Sequence, residues 1–170
     1  MKRFAVLVMV VFVVSLLSAC KGEPDIPLDL THIGITEKDI IYLNGLEGSW
    51  DPEYIIFKSA EQRDEYINEH RNVDGLVSTR LTKYNDTFFN DFNLVVITKT
   101  GGHTGIKYRV EKIYLNSSNA LYVRINRILP PANVYSPCIV TSCKILIPVK
   151  RDYFNGDTVE IKYRTTTRKK

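Results

Sequence analysis

Ile106-Lys107-Tyr108-Arg109-Val110-Glu111-Lys112-Ile113-Tyr114-Leu115, followed by Asn116-Ser117-Ser118-Asn119 and Ala120-Leu121-Tyr122-Val123-Arg124-Ile125, decides the fold. Ile106, Tyr108 and Val110 alternate with polar residues, the period of two that puts one face of a strand on a core. Ile113 and Leu115 resume the alternation on the shifted phase, which places a β-bulge near Glu111-Lys112. The four polar residues 116–119 form a turn, and Leu121, Val123 and Ile125 alternate again. The segment therefore reads as a β-hairpin.

Working outward, Asn93-Leu94-Val95-Val96-Ile97-Thr98 is a β-branched run suited to a central strand. Cys143, Ile145, Ile147 and Val149 alternate, with Pro148 restricting that strand end to an edge or bulge. Asn155-Gly156 marks a turn, and Val159, Ile161 and Tyr163 alternate in a last strand. Upstream, Glu53 to Lys58 reads as a strand running into Ser59-Ala60-Glu61-Gln62, a capping box that opens a helix to about His70. The stretch from Arg71 to Asn90 is ambiguous, with Phe88, Phe89 and Phe92 expected in the core. Residues 28–50 read as irregular, with turn signals at Asn44-Gly45 and Glu47-Gly48 and a short strand over residues 39–43. Trp50 is expected to cover the core. The whole predicts an α+β fold: one mainly antiparallel β-sheet domain with one early helix, after a lipoprotein signal peptide.

That signal occupies the first 19 residues. Met1-Lys2-Arg3 supplies positive charge, and an uncharged apolar run follows from Phe4. Together these are the n-region and h-region of an export signal. Leu17-Ser18-Ala19-Cys20 resembles the bacterial lipobox, and the resemblance implies cleavage before Cys20 and lipid, such as palmitate, on its sulfur. Two or more acyl chains make such an anchor stable. The expected organisation is signal peptide 1–19, lipidated cysteine and tether 20–30, and a single strand-rich α+β domain 31–170. The prolines at 24 and 27 favour an extended, short tether. The expected location is a cell membrane or outer membrane, facing the periplasm or exterior.

Removal of residues 1–19 leaves 21 basic against 19 acidic side chains. That near-neutral balance, together with export, argues against a nucleic-acid partner. Two cysteines then remain, Cys138 and Cys143, in a compartment that supports disulfides. A flat strand would project them from opposite faces, so a bridge needs a bend at Pro137 or around Thr141-Ser142. Such a short loop contributes roughly 2 kcal/mol.

Catalytic signatures are sparse. His32, His70 and His103 are isolated, with no ligand pair at metal-binding spacing, so neither metal nor other cofactor is expected. Cys143 with His103 is the one pairing that would make a cysteine hydrolase, and no Gly-x-Ser-x-Gly elbow is present. Gly101-Gly102-His103-Thr104-Gly105 lacks the lysine and following helix of a phosphate loop. It reads as a strand-to-strand connection whose accessible backbone donors make it a candidate partner-binding loop. The segment 130–143 is a second candidate contact region.

The order of features from Asp91 to Lys150 resembles the PrcB C-terminal domain family of bacterial surface protease complexes. The matching pieces are Asp91-Phe92-Asn93-Leu94-Val95-Val96, Thr104-Gly105-Ile106, Leu121-Tyr122-Val123-Arg124-Ile125, Pro130-Pro131 and Ile145-Leu146-Ile147-Pro148-Val149-Lys150. Ile106 replaces the family's aromatic residue, the turn is one glycine short, and Val149 intrudes before Lys150. The resemblance covers about the last half of the chain. It implies a non-enzymatic envelope protein that binds or stabilises a protein partner, such as an exported protease. The alternative is a lipoprotein that binds a glycan or peptide on an aromatic surface.

Overall fold

The computed structural model describes residues 30–47, 53–70, 75–103, 105–131 and 140–168. Seven strands run through them: β1 (Ile41–Glu47), β2 (Tyr54–Phe57), β3 (Phe92–His103), β4 (Lys107–Leu115), β5 (Leu121–Leu129), β6 (Val140–Lys150) and β7 (Val159–Thr167). Three α-helices lie between β2 and β3: α1 (Ala60–His70), α2 (Gly75–Leu81) and α3 (Asp86–Asp91). Cys20, Trp50 and Cys138 lie outside the described residues.

The strands form two sheets, one ordered β1-β6-β3-β2 and the other β4-β5-β7. Alternation then builds three layers. On β3 and β6, Val95, Ile97, Cys143, Ile145, Ile147 and Val149 face the second sheet, where Val110, Ile113, Leu121, Val123 and Ile125 meet them. The intervening Leu94, Val96 and Leu146 point the other way, onto Ala60, Tyr66, Val77, Leu81 and Phe89 of the helices. Both faces of β3 and β6 are thus buried, which explains the apolar runs Leu94–Ile97 and Ile145–Val149 within them. Burial of each large aliphatic side chain contributes roughly 1.5–3 kcal/mol.

Several sequence expectations hold in detail. The hairpin register shifts between Val110 and Lys112, where the phase change placed a bulge. Helix α1 opens on Ser59 as expected, the Gln62 amide donating to Ser59 Oγ, but the return bond is displaced by one residue: Gln62 Oε1 accepts from the Lys58 amide at 2.8 Å instead of from that of Ser59. Pro148 lies beyond Leu146, the last β6 residue paired with β1. There β6 has only β3 beside it, so the missing proline N–H is tolerated.

Other expectations are corrected. The ambiguous stretch holds two further helices, α2 and α3, so the domain has more than one early helix. They are short, and α3 depends on Asn85, whose side chain accepts from the Phe88 amide. Asn44-Gly45 is no turn but part of β1, which runs to Glu47. Strand β7 pairs parallel with β5, from Leu121↔Val159 to Leu129↔Thr167. Leu30, assigned to the tether, is buried in the core between the sheets.

Candidate functional site

The two segments expected to contact a partner meet at one end of the four-stranded sheet. Gly102 pairs with Thr141 and His103 with Val140, so the 101–105 connection and the start of β6 share a rim. Glu47, the last residue of β1, pairs with Thr141 on the other side. Contrary to the loop expected from sequence, Gly101, Gly102 and His103 belong to β3, while Thr104 lies outside the described residues. Gly105 follows as a turn. Of the 130–143 connection, Pro130, Pro131 and residues from 140 onward are described.

Glycine makes this rim irregular on both sides of β6. The β1 register slips between Asn44 and Leu46, leaving Gly45 extra opposite the Ser142–Cys143 step. The β3 register slips between Thr100 and Gly102, leaving Gly101 extra opposite the Thr141–Ser142 step. Gly45 and Gly101 have φ of +75° and +90°, where L side chains are strained, and a Cβ on either would meet nothing within 4 Å. The requirement is therefore conformational. Bulges of this kind bend strands and end pairing beside functional surfaces.

Beneath the rim lies a polar cluster in an otherwise apolar layer. Lys144, with no exposed surface, sends Nζ to Tyr66 Oη at 3.1 Å and to Thr98 Oγ1 at 3.3 Å. Its Nζ also lies 5.8 Å from the Tyr66 ring centroid, within reach of a cation–π attraction. Ser142 is buried on the same face and donates to the Leu46 carbonyl at 3.4 Å. Each polar group is oriented by a partner, as burial of a charged amine demands. Sequence pattern missed this cluster because Lys144 and Thr98 sit in strand positions where polar residues normally face water.

Cys143 projects from the opposite face of β6, into the core between the sheets. It is 2% exposed and its thiol is free. Burial pushes that thiol up to about 12, far from the thiolate a nucleophile needs. Along β3, His103 stands four residues beyond Lys99, the partner of Cys143, roughly 13 Å at strand rise. In the β3–β6 ladder His103 is the register partner of Val140, three residues before Cys143. The bridge to Cys138 expected from sequence is not formed at Cys143, and it would have to reach into this closed core.

His32, isolated in sequence, serves the packing of the fold. Its Nε2 lies 2.9 Å from the Ile113 carbonyl, and its ring meets Tyr153 edge-on. Among the described residues no group of three or more His, Cys, Asp or Glu side chains converges to hold a metal ion. Nor is there, among them, a helix long and apolar enough to cross a membrane. The tyrosine rings are mostly committed to packing, with Tyr66 against Phe57 and Tyr84 against Phe88. Compared with protein-family models, with curated proteins and with solved structures, the chain finds no match.

Proposed function

We propose that this protein is an envelope lipoprotein, anchored through lipid on Cys20, that binds and stabilises a protein partner, with an exported protease the leading candidate. The observation that carries the binding role is the convergence of the 101–105 and 130–143 segments on one sheet end, irregular at Gly45 and Gly101. Bulged strand ends leave backbone donors and acceptors outside the ladder, where an extended partner segment can use them. The lipobox-like Leu17-Ser18-Ala19-Cys20 and the resemblance to the PrcB C-terminal domain family support the same reading. The protein is proposed to act without catalysis and without a cofactor: selective binding of the folded partner stabilises it by mass action.

The test is affinity capture from solubilised envelope, using the lipidated full-length product and a variant with segments 101–105 and 132–139 replaced by Gly/Ser linkers. The reading expects one dominant exported protein at near-equal stoichiometry, lost in the variant. Capture unchanged by both replacements would overturn the placement of the site. For the anchor, labelled palmitate should enter the wild type and fail to enter Cys20→Ala.

A further inference from the structure

The outer face of the β4-β5-β7 sheet carries charge of a single dominant sign. Register aligns Lys112 of β4 with Arg124 of β5 and Lys162 of β7, and Arg109 with Asn126 and Arg164, while Lys107 stands on the same face in the next row, beside Ile128 and Thr166. Six cations share that face with two carboxylates, Glu111 and Glu160. Glu111 lies 3.1 Å from Arg124, and Glu37 reaches Arg109 from the side at the same distance. Beyond the signal region the chain has 21 basic and 19 acidic side chains, so the rest of it holds 15 against 17. A near-neutral protein has thus gathered its excess of positive charge on one sheet face, which none of the three α-helices covers. The three α-helices lie on the far side of the other sheet, and the short 3-10 turn Glu37–Asp39 touches this face only at its edge, through Glu37 and Arg109.

At one end of this face Tyr114 and Tyr122 stack with ring centroids 4.6 Å apart. Tyr114 is 42% exposed, one of two large apolar side chains so placed among the described residues. Cations beside an exposed tyrosine match a membrane surface, where ammonium and guanidinium groups meet phosphates and tyrosine sits at headgroup depth. The chain joins the fold on the same sheet: Leu30 enters the core, and His32 bonds the β4 carbonyl of Ile113. Ten residues separate Cys20 from Leu30, a span of at most about 35 Å.

We infer that the outer face of the β4-β5-β7 sheet is a docking surface for anionic phospholipid headgroups, laying the domain flat on its membrane with the helical layer turned away. The choice of lipid as occupant rests on the proposed anchoring at Cys20. The headgroup chemistry itself does not, and it can be tested without the anchor.

Both core clusters are built from Leu30 onward, so the polypeptide 21–170 carries its own core and has no lipid. It should float with phosphatidylcholine vesicles containing about a third phosphatidylglycerol, not with pure phosphatidylcholine, and added salt should release it. Lys107→Gln, Lys112→Gln and Lys162→Gln together should weaken flotation about 100-fold, at roughly 5-fold per cation, with an unchanged melting temperature. Equal binding to both vesicle types, or a triple variant that floats like wild type, would overturn the inference. So would failure to float, whether or not the face then binds an acidic polypeptide such as polyglutamate. Because Cys20 is absent from 21–170, any of these results leaves the anchor to be judged by palmitate labelling.

Discussion

Lys144 puts an ammonium group inside the layer between sheet and helices, where an ion without partners would cost several kcal/mol. Tyr66 and Thr98 answer that cost from helix α1 and strand β3, so the lysine links elements that otherwise meet through apolar contacts. Tyr66→Phe keeps the ring and removes the oxygen, and is expected to destabilise the fold by about 1–3 kcal/mol. Urea unfolding of 21–170 measures it; a loss below about 0.5 kcal/mol would mean the lysine is satisfied without that oxygen. Cys143 makes a different claim. Its folded pKa is raised by burial from 9.0 to about 12, so the folded state holds the proton more tightly than the unfolded one. The resulting stability is complete below about pH 9 and lost as pH rises toward 12. Tyr84, raised by burial to about 12, adds to the decline. The melting temperature should fall across that window, less steeply in Cys143→Ala. In Cys138→Ser, the remaining thiol should ignore a thiol reagent near pH 8 until denaturant is added; fast reaction in the native state would contradict the burial.

At the scale of the element, β4 shows how an edge strand is closed without another strand. The Val110 amide donates to Tyr42 Oη and the Leu115 amide to Tyr153 Oη, both at 3.0 Å, while His32 bonds the Ile113 carbonyl between them. Three ring side chains thus occupy groups that would otherwise template pairing with a second chain. Removing both phenols, Tyr42→Phe with Tyr153→Phe, is expected to cost about 2 kcal/mol in urea unfolding and to increase self-association by light scattering. A double variant as stable and monodisperse as wild type would show the edge needs no cover. These caps were not legible in sequence, because each joins residues far apart along the chain. What was legible depended on local signals. The phase change at Glu111-Lys112 gave the bulge, and Ser59 to Gln62 gave the start of α1. Helices α2 and α3 were lost because short helices carry little periodicity, and their stability comes from Val77, Leu81 and Phe89 in the core. Alternation in Val159, Ile161 and Tyr163 identified a strand but held nothing about direction, so its parallel pairing with β5 was invisible. Gly45 and Gly101 read as turns because glycine signals positive φ, and a bulge uses the same freedom inside a strand.

On the scale of the whole molecule, three layers separate three roles. The core between the sheets holds the larger cluster of buried apolar side chains, the helices close the second face of the four-stranded sheet, and the outer face of β4-β5-β7 gathers the excess of positive charge. The rim holding Gly45, Gly101 and the paired Gly102–Thr141 lies at the strand ends, clear of both outer faces. A domain lying on the membrane by its basic face would therefore keep that rim accessible from the side. The most direct test of partner binding at the rim is site-specific photo-crosslinking in native envelope, with the full-length lipidated chain. The crosslinker is placed at Asn44 or Thr100 on the rim, or at Glu61 on the helical layer; all three are exposed. Adducts with one envelope protein from Asn44 and Thr100, and none from Glu61, are the predicted result. Adducts from Glu61 alone, or none from either rim position while the protein is folded and anchored, would contradict it.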